Sequence, residues 1–294
     1  TRSANAASGK KAAGILGGGG LGDQSYNDLV YSGMKKAESE LGIAFDYAEP
    51  KQISEFELIM RDMASSGQYS VIVCVGFDQV DPLTKVAPEF PDQKFALIDG
   101  VVEGPNIANY TCMEEEGSFL VGALAGLMKK NAAAYNVADN NTIGFIAAME
   151  IPLLVKFDAG YQAGAKFVNP SINVLTASVA GTHPFTDTTT AKEIALTQYS
   201  KGADIIYHAA GGSGLGVFQA AAEQNFKAIG VNSNQNVLDP DHIVASMLKR
   251  VDTAAFEIVK AACVDGNLAV GSTIVLGVKD DGVGYTLEGS NTKA

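Results

Sequence analysis

Short, wholly apolar runs alternate with longer segments of helical period, and the alternation occurs twice along the chain. Runs at 12–16, 44–47 and 71–76 are followed by segments of helical period at 27–41, 55–65 and 81–87, and another run closes the first series at 95–99. After a run at 106–111, the amphipathic segment 114–130 opens a second series, with runs at 142–147, 172–180, 205–209 and 227–231 separated by helical segments at 152–167, 189–201 and 216–224. Runs such as VIVCVG at 71–76 and DIIYHAA at 204–210 do not alternate with polar residues. Strands of that kind are buried on both faces, as in a parallel sheet covered by helices. Two series of similar size predict two α/β domains, each with a mostly parallel sheet, and 294 residues give enough length for two cores.

The tail is expected to return to both domains. Residues 243–264 read as one or two helices, and 272–278 and 284–287 as short strands around the turn signal Lys279-Asp280-Asp281-Gly282. The expected division is 12–111 plus 248–268 for the N-terminal lobe, 112–247 plus 269–294 for the C-terminal lobe, and 1–11 as a flexible tether. A chain that passes between its domains more than twice makes a hinge. The polar opening TRSANAASGKK lacks an initiator Met, which is compatible with a removed leader.

Charge and composition exclude several functions. Lys plus Arg number 21 against 33 Asp plus Glu, a formal net charge of −12, so a phosphate backbone meets net repulsion and no nucleic-acid partner is expected. No apolar run is long enough to span a bilayer. Cys74, Cys112 and Cys263 are widely spaced, form no C-x-x-C and are odd in number, so no closed disulfide framework is expected. Cys74 reads as a small buried hydrophobe. His183, His208 and His242 stand alone without ligand spacing, so no metal is expected, and His183 and His208 read as structural.

In parallel sheets ligands gather beyond the carboxyl ends of the strands, which directs attention to the segments after each run. GGGGLG at 17–22 satisfies G-x-G-x-x-G, with Asp46 where a ribose-binding acid of a dinucleotide site could stand. Against that reading, Ser25 with Asp28 resembles a helix N-cap with its capping-box acid, which separates the glycines from the helix. The preferred reading is a loop that lets a ligand approach backbone amides, with Tyr26 and Asn27 at its tip; a plain turn is the alternative. Phe185 lies in a strand-to-helix loop, where it either staples the following helix or, paired with Tyr26 from the other domain, sandwiches a planar ring. GGSGLG at 211–216 turns outward at a helix start and suits a hydroxyl or anion, but lacks the ending of a nucleotide triphosphate loop. Asp99 and Asn232 end two apolar runs and suit polyhydroxyl or amide-bearing ligands, or else satisfy loop amides. Glu114, Glu115 and Glu116 read as the acidic first turn of a helix.

Several motifs recur in a fixed order: GDQSYND at 22–28 with Tyr31 and Gly33, VGF at 75–77, FALID at 95–99, EEGSFLVG at 115–122, Pro152 with Phe157 and GYQAG at 160–164, FTD at 185–187 with AKE at 191–193, GGSGLGVF at 211–218, and GVNSNQ at 230–235. As an ordered set over 12–287 they resemble the basic membrane protein family, the PnrA-like purine-nucleoside-binding lipoproteins of bacterial ABC transporters. The resemblance implies a type I periplasmic-binding-protein fold, two α/β lobes joined by three crossovers, with a nucleoside in the cleft. It places Tyr26 and Phe185 on the base and Asn27 and Asp99 as base or cleft contacts. Gly211, Gly212 and Asn232 fall at the ribose, with Lys279 a weaker candidate for the same end. Asp23, Ser25, Phe77 and Met149 complete the expected ligand set, with no catalytic residue and no cofactor.

Two departures stand out. The family commonly has Phe where Tyr26 stands, and Asp where Asn232 and Asn234 stand; a carboxylate accepts two ribose hydroxyls better than an amide does. The resemblance also implies permease subunits as partners, an extracytoplasmic location, a lipidated N-terminal Cys upstream of this sequence, and a monomer. The competing readings are an enzyme that acts on a nucleoside or uses a dinucleotide in the same cleft, and a sensing domain for another small ligand.

Overall fold

The structure is a computed structural model that describes residues 10–292. The tether expected over 1–11 lies outside the described residues as far as residue 9, and Lys11 already opens the first strand. The strands are β1 (Lys11–Ile15), β2 (Ala44–Ala48), β3 (Val71–Val75), β4 (Phe95–Ile98), β5 (Ile107–Cys112), β6 (Thr142–Ala147), β7 (Asn173–Ser178), β8 (Ile205–Ala209), β9 (Lys227–Asn232), β10 (Ile243–Lys249), β11 (Ser272–Leu276) and β12 (Val283–Thr286). The helices are α1 (Tyr26–Leu41), α2 (Phe56–Ser65), α3 (Val80–Val86), α4 (Glu114–Lys130), α5 (Ala132–Tyr135), α6 (Pro152–Val168), α7 (Thr188–Ser200), α8 (Leu215–Gln224) and α9 (Val251–Lys260).

The chain forms two compact units. The first holds residues up to Gly22, Asn27–Cys112 and Arg250–Leu276; the second holds Asp23–Tyr26, Met113–Lys249 and the residues from Gly277 onward. In the first unit a six-stranded sheet runs β11-β5-β4-β3-β1-β2 with every neighbour parallel. Its core packs Ile15, Cys74, Phe95 and Leu97 against Phe56, Met60 and Leu83, all essentially without solvent contact. Helix α1 can lie close to α9 because Gly33 has no side chain: a Cβ there would sit 2.1 Å from the Asp252 carbonyl oxygen.

The second unit repeats the plan as β12-β10-β9-β8-β6-β7, with only β12 antiparallel to its neighbour. Helix α4 carries Glu114, Glu115 and Glu116 in its first turn and Lys129 and Lys130 in its last, both complementary to the helix dipole. Helix α6 starts with Pro152, where no backbone donor is needed, and Asp187 caps α7 by accepting from Thr190 N–H at 2.9 Å. The backbones of α4 and α6 almost touch. A Cβ on Gly122 would sit 2.1 Å from the Tyr161 carbonyl oxygen, on Gly160 2.2 Å from that of Glu115, and on Gly164 1.9 Å from that of Phe119.

Two sequence expectations for the tail are corrected. Residues 243–249 form a strand rather than the start of a helix: all but Leu248 are buried, and Ser246, the polar residue inside the run, is satisfied by donating to Asn236 Oδ1 at 2.8 Å and accepting from Gln235 N–H at 3.0 Å. The helical period belongs to α9 alone. Strand β11 pairs in register with β5, Ser272 opposite Ala108 through Leu276 opposite Cys112, and so joins the first unit although 269–294 were expected in the second lobe.

The α4 to α6 approach yields a direct test. Gly164→Ala must push a methyl group into the Phe119 carbonyl, so the helices have to separate. The expected result is a loss of about 2–4 kcal/mol in urea unfolding, whereas an unchanged midpoint would mean that the helices are not held at this distance.

Candidate ligand-binding site

In both sheets the strand order reverses beside the first strand of the unit: between β1 and β3 in the first, and between β6 and β8 in the second. Loops after those strands are where ligands collect in such sheets.

In the first unit the glycine-rich loop after β1 has most of its amides already taken. Gly17 N–H donates to Asn27 Oδ1 at 2.9 Å, Gly18 N–H to Asp78 Oδ2 at 3.0 Å, Leu21 N–H to Glu49 Oε2 at 3.0 Å and Gly22 N–H to Asp28 Oδ1 at 2.8 Å. A loop that spends its donors on three carboxylates and an amide is not an anion cradle. Asp46 is occupied too, by the Tyr69 hydroxyl at 2.6 Å and Lys11 at 2.5 Å. The expectation that a ligand approaches these loop amides is therefore corrected for Gly17, Gly18, Leu21 and Gly22, and the dinucleotide reading loses both of its parts. Asn27 is buried in this role, Phe77 follows β3 half-buried, and Asp99 ends β4 in the left-handed conformation at φ 67°. Burial pushes the Asp78 carboxyl up to about 6, against the opposing pull of the Gly18 N–H.

In the second unit the segment Asp23–Tyr26 is stitched to the end of β9. Ser25 Oγ donates to the Val231 carbonyl at 3.2 Å and accepts from Asn232 Nδ2 at 2.9 Å. The Gln24 carbonyl accepts from Ser233 Oγ at 2.7 Å and Gln235 Nε2 at 3.1 Å. Asp23 Oδ1 accepts the Ser25 N–H at 2.9 Å, so this carboxylate shapes the turn. The Ser25 hydroxyl thus acts toward β9, and Asp28, read as its capping-box partner, accepts from Gly22 N–H. Tyr26 accordingly belongs to the same unit as Phe185, which corrects the expectation that the two rings come from different domains.

Phe185 and Asp23 converge on the glycine turn after β8. A Cβ on Gly212 would lie 3.1 Å from the Phe185 carbonyl oxygen and 3.7 Å from Asp23 Cα, while one on Gly211, at φ 54°, would lie 3.3 Å from the Phe185 ring. Ser213 fastens the turn, its N–H donating to the Phe185 carbonyl at 3.0 Å and its hydroxyl to the Pro184 carbonyl at 2.8 Å. Beneath the turn His208 is fully buried against Phe218; burial lowers its pKa to about 4, so the ring is neutral and structural, as read from the sequence.

The residue that the sequence reading missed is Lys249, the last of β10. It is 2% exposed, with its ammonium 5.5 Å from the Tyr26 ring centroid and 5.6 Å from that of Phe157. It pairs with the fully buried Glu114 at 2.8 Å, and Glu114 also meets Lys156 at 2.7 Å. Burial pushes the Glu114 carboxyl up, but the charge of Lys249 and the hydrogen bonds to both lysines hold it below the usual carboxylate range. Lys279, the lysine expected at this end, lies exposed in the turn at Val278–Asp280. Lys249 ends a run of buried residues, a signal hidden by reading 243–264 as helical. Met149 lines a hollow of about 240 Å³ with Phe145, Leu154 and Thr176, between α6 and β7.

Two mostly parallel six-stranded sheets flanked by helices, with polar groups and aromatic rings after their strands, define the fold of the type I periplasmic solute-binding class. The family model described as ABC transporter substrate-binding protein PnrA-like matches residues 10–294, and the chain belongs to that family. A lipoprotein of Pyrococcus horikoshii is 36% identical over 278 residues, covering 91% of this chain and 66% of the relative, so the chain spans just under two thirds of that protein. The ABC transporter nucleoside-binding protein BmpA of Lactococcus lactis is 27% identical, over 96% of this chain and 83% of the relative. A solved solute-binding protein of an Aeropyrum pernix ABC transporter system superposes with a TM-score of 0.86 at 32% identity, over 94% of this chain and 76% of that one. These are binding proteins and not enzymes. Among the described residues no helix is long and apolar enough to cross a membrane.

Asp78 makes the glycine loop sensitive to pH. Its folded value of about 6 lies above the ordinary 3.8, so the buried charge costs stability above about pH 6, and the cost disappears as pH falls toward 4. Asp78→Asn keeps an acceptor for Gly18 N–H and removes the charge. It is expected to stabilise the protein by about 2 kcal/mol near pH 7.5 and by little near pH 4, measured by urea unfolding at both; equal effects at the two pH values would show that the carboxyl is not buried as charge.

Proposed function

We propose that this protein is the extracytoplasmic solute-binding component of an ABC importer and that it captures a purine-type nucleoside for delivery to the permease. The observation that carries the reading is the convergence on Gly211 and Gly212 of Phe185 and of Asp23, three residues before Tyr26. It supplies two aromatic residues for a planar base beside an amide and a buried lysine for a polyhydroxyl group. The spent loop amides argue in the same direction, because they leave that loop no cradle for a phosphate and favour an uncharged nucleoside over a nucleotide. The relative named for nucleoside binding adds support.

In this reading Tyr26 and Phe185 hold the base and Gly211, Gly212 and Asn232 meet the sugar. Lys249 lies toward the same end, with Lys279 the exposed alternative. Asp23 and Met149 complete the set in the second unit, and Asn27, Phe77 and Asp99 are the candidates at the strand ends of the first. Binding needs no cofactor, and the protein acts as a monomer in the periplasm or at the outer face of the cell membrane, held there by a lipid anchor, as the lipoprotein name of its relatives suggests.

Thermal unfolding of ligand-stripped protein against nucleosides, free bases, ribose, other sugars and NAD tests the proposal. A ligand at one hundred times its Kd adds about 2.7 kcal/mol, enough for a shift of several degrees. Adenosine, guanosine or inosine is expected to give that shift, and Phe185→Ala to weaken binding about tenfold or more by removing one stacking face. Silence from every nucleoside together with a shift from a sugar or NAD would overturn it.

A further inference from the structure

Asn232 closes β9 in the left-handed conformation, φ 66°, and is only 8% exposed. Its amide nitrogen donates to Ser25 Oγ at 2.9 Å, and Ser25 Oγ, itself without solvent contact, donates to the Val231 carbonyl at 3.2 Å. A hydroxyl has one hydrogen. Once it is committed to Val231, the Ser25 oxygen can only accept, so Asn232 must turn an N–H toward it. The amide carbonyl oxygen, Oδ1, is left on the other side, buried and without a hydrogen-bond partner among the described residues. A buried acceptor in that condition is costly until something donates to it. Backbone and side chain share the work: the left-handed turn aims the side chain, and the hydroxyl sets which end of the amide faces away from Ser25.

We infer that the relay Asn232 to Ser25 to Val231 is an orientation lock, with Ser25 a positioning residue that fixes Asn232 as a single neutral acceptor. The ligand group selected at this point is one that donates a single hydrogen bond. On the nucleoside reading, on which this rests, that group is a sugar hydroxyl. An aspartate here would present an acceptor whichever way it turned and would need no lock; an asparagine without the lock could equally present its N–H.

The test is a cycle of variants read by calorimetric Kd. The probes are the purine nucleoside that shifts the wild type and its 2′-deoxy and 3′-deoxy forms. Wild type is expected to favour the riboside about tenfold over whichever deoxy form lacks the donated hydrogen. Ser25→Ala frees the amide to flip and is expected to cut that preference below about threefold, and Ser25→Cys, nearly isosteric with a weak donor, to do the same should the alanine variant fail to fold. Adding Asn232→Asp to either is expected to restore the preference, because both carboxylate oxygens accept. A Ser25 variant that weakens riboside and deoxyriboside by one common factor, or an unrescued double variant, would overturn the lock while leaving the nucleoside reading standing. Failure of every nucleoside to bind the wild type would instead remove that reading and the inference with it.

Discussion

The buried carboxylate of Glu114 is the constraint around which the second unit is arranged. An ion without solvent contact has to be paired, because removing one partner leaves an uncompensated charge in the interior. Glu114 meets this requirement with Lys249 from the end of β10 and Lys156 from α6. One interaction therefore fixes the start of α4, the carboxyl end of the sheet and the first turns of α6 relative to one another. The glycines that let α4 and α6 approach to backbone contact make the same arrangement possible from the packing side. Lys249, held by its ion pair, keeps its ammonium beside the Tyr26 and Phe157 rings, so the aromatic residue that opens α1 rests on a rigid electrostatic support.

Around this support the polar chemistry is of a restrained kind. The strand-end groups of the second unit are a neutral amide, a glycine turn and two aromatic residues, and its buried lysines are already paired, Lys249 with Glu114 and Lys129 with Asp204. In the first unit the carboxylates of Asp78, Glu49 and Asp28 occupy backbone donors, and none is paired there with a base or nucleophile by the bonds that hold the loop. Such a set can hold an uncharged ligand by stacking and hydrogen bonding.

Most of the frame was legible because full apolar runs and helical periods are local signals. Helix α4 falls on its expected residues, and strands and helices of both series lie within a residue or two of their reading. The tail was not legible for a physical reason. Strand β10 is buried at every position but Leu248, and the polar residue inside it, Ser246, is satisfied by Gln235 and Asn236, so nothing local distinguishes it from the helical segment that follows. Losing that strand concealed Lys249, whose importance rests on a partner 135 positions earlier, the difference between 249 and 114. The aromatic residues were singled out by their types and loop positions, yet the unit to which Tyr26 belongs depends on what Ser25 and Gln24 bond to, over two hundred residues away.

The two units also show how one topology carries two chemistries. Strand β4 holds in the first sheet the place that β9 holds in the second, and each ends in a short polar residue at nearly the same left-handed angle, Asp99 at 67° and Asn232 at 66°. Asp and Asn tolerate that conformation better than other side-chain-bearing residues, so the backbone requirement admits either and leaves the choice to chemistry. The next strand outward ends in Cys112 in one unit and in Lys249 in the other. A carboxylate beside a thiol and an amide beside a paired lysine are different recognition surfaces on one backbone plan. On the proposed function, the fold sets where a ligand is met, and these strand-end side chains bear on what it is.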